Sequence, residues 1–118
     1  MAQPRQHGKD PIVVLVTTPR KKGVAERIAR ALVGERLAAC VNIVPQLRSI
    51  YRWQGKICND LERLLLIKTT SARFRALEKR VRELHPYDVP EIIALKISAG
   101  EKRYLAWLFD SSTAARKT

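Results

Sequence analysis

The densest run of chemically able side chains is His85-Pro86-Tyr87-Asp88-Val89-Pro90-Glu91, which sets one imidazole within a few residues of two carboxylates. A neutral imidazole beside carboxylates suits a divalent transition metal, and the same groups serve general acid/base chemistry. The plainer reading is architectural: two prolines stiffen a tight connection, and His85 bonds only to backbone. A second constellation is Tyr51, Trp53, Tyr104 and Trp107, each with a large contact area and a polar handle. They make either core or subunit packing or a pocket to which Glu62 and Lys68 bring charge. Those two residues share one side of an expected strand by parity, and a carboxylate within so apolar a strand needs a partner if it is buried.

Other chemistry is scarce. Cys40 and Cys58 form no C-x-x-C pair and neighbour no histidine, so buried thiols in a reduced compartment are expected. The sequence has no P-loop, no G-x-G-x-x-G and no EF-hand loop. A base-stacking RNA-recognition sheet needs strand aromatics, whereas Phe74 and Phe109 fall on expected helices. With no paired nucleophile and base, a non-enzymatic binding or regulatory protein is the primary reading. The alternatives are a small trimeric enzyme using His85 and Glu62 as acid and base at a subunit interface, or a basic nucleic-acid-binding module.

That last alternative rests on charge alone. The 118 residues carry 23 Lys and Arg against 11 Asp and Glu, a net +12. Residues 20–36 hold 6 basic and 2 acidic side chains, and residues 71–84 hold 5 and 2, so the excess falls where solvated helix faces are expected. Hydrophobic residues at 46% exclude a wholly disordered chain, and the length fits one domain. The polar start includes a proline and a glycine and leads into no signal-peptide core. The longest apolar run, Ile12 to Val16, is far short of a membrane span. A soluble, cytoplasmic protein without membrane partners is expected.

The elements that must position these groups follow from periodicity. Ile12 to Thr18 is a β-branched, continuously apolar run stopped by Pro19, the pattern of a strand buried on both faces. Val24, Ile28, Ala31 and Leu32 recur at helical spacing within residues 21–36. Strand-like residues follow at Ala39 to Val44, Ser49 to Trp53 and Leu61 to Thr70, with Gln54-Gly55 as a two-residue hairpin turn. Without bulges, Trp53 would face Lys56, Tyr51 would face Cys58 and Cys40 would face Thr69. Arms of this length span about 46 Å when straight, against about 35 Å for a compact domain, so they must bend or protrude onto a partner. Pro45 offers a bend or bulge. Phe74, Leu77, Val81 and Leu84 mark a second helix ended by Pro86. Ile92 to Ser98 is a last main strand, and Tyr104 to Phe109 a short terminal helix. The order β-α-β-β-α-β plus a C-terminal helix is an α+β, ferredoxin-like plan with an antiparallel sheet. The expected domain is 11–112, between a disordered tail at 1–10 and a polar tail at 113–118.

Several strings in order then carry a resemblance: Leu37-Ala38-Ala39-Cys40-Val41-Asn42-Ile43, Ser49-Ile50-Tyr51-Arg52-Trp53-Gln54-Gly55-Lys56, Glu62, Ile67-Lys68-Thr69, His85-Pro86-Tyr87, Val89-Pro90-Glu91 and Tyr104-Leu105-x-Trp107. The sequence resembles the CutA divalent-cation tolerance family from about Ile12 to Ser112. The resemblance implies a cytoplasmic homotrimer joined through the long hairpin, and a role in tolerance of copper and other divalent metals without an established reaction. Some copper-binding members carry a first-strand cysteine and two adjacent histidines before Pro-Tyr. Here Val16 and Leu84-His85 stand at those places. The expected metal site is therefore weak, centred on His85 and helped by Glu91 or Glu62, with copper, another divalent ion or an unidentified small ligand as partner.

Overall fold

The computed structural model describes residues 9–114. Its elements are β1 (Pro11–Pro19), α1 (Val24–Gly34), β2 (Cys40–Trp53), β3 (Lys56–Thr70), α2 (Phe74–Leu84), β4 (Ile92–Lys96) and α3 (Lys102–Ser111), with a single 3-10 turn at Ser71–Arg73. The four strands form one antiparallel sheet in the order β2-β3-β1-β4. This is the ferredoxin-like arrangement expected from the element order. Of the expected tails, residues 1–8 and 115–118 lie outside the described part. Asp10 is joined to the domain, its carbonyl accepting from the Ser71 N–H at 2.9 Å.

Strand β1 is buried on alternate residues and not on both faces. Ile12, Val14, Val16 and Thr18 are buried, while Val13, Leu15 and Thr17 are only partly covered. The reason lies in the layers. Ala25, Ile28 and Leu32 of α1 and Leu77 and Val81 of α2 pack onto one face, against Leu65 and Ile67 of β3. The opposite face, which carries Leu15 beside Leu66 and Ile93, is not covered by α1 or α2, and Ile93 and Leu95 stay about half exposed.

Helix α1 is shorter than its periodicity predicts because backbone geometry bounds it. Gly23, at φ 88°, precedes it, and Arg36, at φ 59°, follows it. At that C-terminus the Leu37 N–H bonds to the Leu32 carbonyl at 2.9 Å and the Arg36 N–H to Val33 at 3.1 Å, a Schellman closure that usually uses glycine. Arginine here gains other partners: its guanidinium donates to the Asp110 and Thr113 carbonyls at 2.5 and 2.7 Å, tying the end of α3 to α1. Helix α2 ends at His85, whose extended backbone is what a residue before proline requires.

The β2-β3 hairpin turns through Gln54 and Gly55, both at positive φ, the geometry of a type I′ turn. Near the turn the pairs are the expected ones, Trp53 with Lys56 and Tyr51 with Cys58. Farther down, Cys40 faces Lys68 and not Thr69. A bulge between Val44 and Leu47 sets Pro45 and Gln46 against Arg63 alone, where proline's missing N–H costs the ladder nothing. Even so the arms protrude: the principal extents are 49 × 37 × 23 Å.

Candidate functional site

A cleft of about 760 Å³ lies where the hairpin, the end of β1 and the segment joining α2 to β4 meet. Its walls include Tyr51, Trp53 and Ser49 of β2, Glu62 of β3, Thr17 of β1, and Tyr87, Asp88 and Glu91 of the connecting segment. Register explains the grouping. Ser49 pairs with Asp60, Leu47 with Glu62 and Thr17 with Leu64, so these side chains share the sheet face that α1 and α2 leave open.

His85 holds the connecting segment down. It is buried, and its Nε2 lies 2.7 Å from the Thr17 carbonyl oxygen while its Nδ1 accepts the Tyr87 N–H at 3.1 Å. A carbonyl can only accept, so the imidazole is the Nε2–H tautomer, and both ring nitrogens serve backbone groups. The Tyr87 ring packs against it at 4.7 Å between centroids. From there the Tyr87 hydroxyl donates to Glu62 Oε2 at 2.9 Å. Burial, then the hydrogen bond and charge of Glu62, push the Tyr87 hydroxyl well above the usual phenol range. On the other wall Tyr51 donates to Asp60, and this bond raises its pKa to about 12.

The residues expected to carry chemistry are thus sorted into separate places. Glu62 and Glu91 line the cleft with Tyr51 and Trp53; His85 stands behind it with no ring nitrogen free. His85 and Glu62 do not bond to one another, because Tyr87 stands between them as a partner to each. Lys68, Tyr104 and Trp107 are not in the cleft. Lys68 donates to Asn42 farther down the hairpin, and Tyr104 packs against Trp107 on α3 at 5.4 Å. Of the two readings of the four aromatics, a single pocket with Glu62 and Lys68 does not form within one chain, because α3 docks elsewhere on the sheet. Among the described residues no group of three or more His, Cys, Asp and Glu side chains is placed to hold a metal ion. The two cysteines are free and partly buried.

Asp88, one of the two carboxylates of the His85–Glu91 run, lies on the cleft wall, together with Thr17 and Ser49, to which the sequence alone assigns no role. Thr17 and Ser49 had a usable signal, being small polar residues in otherwise apolar or aromatic strands, but only the strand register connects them with Glu62.

This arrangement of hairpin, cleft and connecting segment has known counterparts. The profile of the CutA1 divalent ion tolerance protein family matches residues 12–111. The chain belongs to the CutA1 family. The divalent-cation tolerance protein CutA of Thermus thermophilus is 59% identical over 100 residues, covering 85% of this chain and 96% of that one. The rice protein CutA 1, chloroplastic, is 50% identical over 86% of this chain, which spans only 56% of its length. Among solved structures, the periplasmic divalent cation tolerance protein CutA of Archaeoglobus fulgidus is similar with a TM-score of 0.83 at 35% identity, covering 87% of this chain and 99% of that one.

Family membership makes the chain a CutA1 tolerance protein and not an enzyme. It also corrects the expected compartment. With one CutA relative periplasmic and another chloroplastic by name, resemblance to CutA does not imply a cytoplasmic location. No helix among the described residues is long and apolar enough to cross a membrane.

Proposed function

We propose that this chain acts as a homotrimer in tolerance of divalent cations, without catalysing a reaction and without a tight metal centre. The observation that carries the assembly is the sheet face left open by α1 and α2, where Ile93 is 48% and Leu95 52% exposed beside Leu15 and Leu66. The protruding hairpin adds Ile50 at 68% and Ile57 at 72%. Apolar surface of this extent on the open face and free edge strands is what a closed cyclic assembly covers. The names of the Thermus and Archaeoglobus relatives supply the cation.

Metal contact on this reading is weak. Of the expected set, His85 has given its Nδ1 lone pair to the Tyr87 N–H, which leaves Glu62 and Glu91 as oxygen donors. Carboxylates alone select poorly among divalent ions, and copper favours nitrogen and sulfur over them. Multi-angle light scattering at micromolar protein should return three times the 13.4 kDa chain mass. A monomer mass would reject the assembly, and calorimetric copper binding with a stoichiometric, tight isotherm would reject the weak site.

A further inference from the structure

The cleft has a charge opposite to that of the chain. In a protein of net +12, the residues lining it include three carboxylates, Glu62, Asp88 and Glu91, and no lysine or arginine. Glu62 is the informative one. It is only 5% exposed and lines the cleft, its Oε2 is held by the Tyr87 hydroxyl, and its Oε1 accepts no hydrogen bond among the described residues. The ion pairs of the described residues are Arg63 with Glu26, Arg80 with Glu35 and Glu83, and Arg103 with Glu101; none involves Glu62. Among the described residues the buried side-chain atoms without a partner are Glu26 Oε1 and Arg63 Nε, so Glu62 Oε1 opens to the cleft, where a cation can approach it.

The walls narrow the kind of cation. Tyr51, Trp53 and Tyr87 offer aromatic surface, and Ile50 and Val89 add aliphatic surface. A hydrated inorganic ion gains little from such walls, since hard divalent ions take six or more oxygens. A positive group on an apolar body gains from both parts, through charge-assisted bonding to Glu62 and through contact with ring faces. The volume, about 760 Å³, is in the range of small-molecule sites.

We propose that this cleft binds a small organic cation, a primary ammonium carried on an apolar body, with Glu62 Oε1 as its anchor and Tyr51 and Trp53 as its walls. The site shares Glu62 and Glu91 with the weak metal contact proposed above, and the calcium titration below tells the two uses apart.

The test uses the full chain, titrated calorimetrically with 2-phenylethylamine, with 2-phenylethanol as its neutral counterpart, and with calcium chloride. The amine should bind on the order of tenfold more tightly than the alcohol. Glu62→Gln, which keeps an acceptor for Tyr87, should erase that preference, and Trp53→Ala at the exposed hairpin tip should weaken the amine while the chain stays folded by circular dichroism. Equal binding of amine and alcohol, or tighter binding of calcium than of the amine, would overturn the proposal. So would no amine binding together with a smaller assembled mass for Glu62→Gln, since the cation facing Glu62 would then be a side chain of another copy. Absence of amine binding with the mass unchanged also overturns it.

Discussion

The Tyr87 hydroxyl and the Glu62 carboxylate, 25 residues apart in sequence, are joined at 2.9 Å and fasten the α2-β4 connection to the middle of the hairpin. Because the tyrosine is the donor, the bond exists only while the phenol keeps its proton. The pKa is raised in the folded chain, so its stabilising effect is complete below the unfolded value of 10.0 and is lost as pH rises through the folded value. Tyr51, raised to about 12 by Asp60, behaves alike, and burial raises Tyr104 as well. These are all three tyrosines of the chain. Absorbance at the tyrosinate band should therefore show no ordinary phenol titrating near pH 10 in the folded protein, and three in denaturant. A folded-state titration that matched the denatured one would refute the hydrogen-bond assignments.

His85→Ala is expected to act on stability before it acts on metal. It removes the two backbone contacts at 2.7 and 3.1 Å and leaves a void under Tyr87, for a cost of about 1–3 kcal/mol. Thermal unfolding should shift downward accordingly. Weak binding of zinc or copper, read by calorimetry on the folded variant, should change less than it does in a Glu62→Gln Glu91→Gln double variant. The reverse order would return the metal to the imidazole.

Gln54 at φ 50° occupies a position that asparagine tolerates better. Gln54→Asn should stabilise the chain by roughly 0.5 kcal/mol, and Gly55→Ala, at φ 77°, should destabilise it by about 1 kcal/mol or more. Urea midpoints would settle both, and stabilisation by the alanine would contradict the I′ turn.

Charge placed on the open sheet face should break the assembly without unfolding the subunit. Ile93→Lys and Leu95→Lys each add an ammonium beside β1 at positions about half exposed in the single chain. Light scattering should register dissociation, with the far-ultraviolet spectrum retained. A variant that kept the wild-type mass would show that this face is not the interface.

The sequence is legible where the physics is local. Gln54-Gly55 names its own turn, Pro86 stops its own helix, and helical spacing picks out Ile28, Leu32, Leu77 and Val81 as core. Errors arise where distant parts decide. Cys40 is one residue out of its expected pairing because nothing near it counts the residues consumed at Pro45 and Gln46. Tyr104 and Trp107 resemble Tyr51 and Trp53 in type, but the docking of α3, fastened by Arg36, determines where they go. By residue type His85 suits either a metal or acid/base role or a purely backbone one. Only the carbonyl of Thr17, 68 residues earlier, decides between those uses.

The surplus residue at the bulge changes more than the path of the strand. On the lower part of β2, Val41 and Ile43 point to the helices, being opposite Ile67 and Leu65. Strict alternation would send every odd-numbered residue of β2 the same way, Tyr51 and Trp53 included. Having two residues, Pro45 and Gln46, against Arg63 reverses the phase, so the outer arm shows its odd-numbered side chains to Glu62. Deleting one of the two would restore one-to-one pairing and keep the wall, because Tyr51 stays opposite Cys58 and Trp53 opposite Lys56, and paired residues share a face. In an evolving lineage, a codon lost at this place would close the bulge and leave the aromatic wall standing, so the length of β2 can change without changing what faces the cleft.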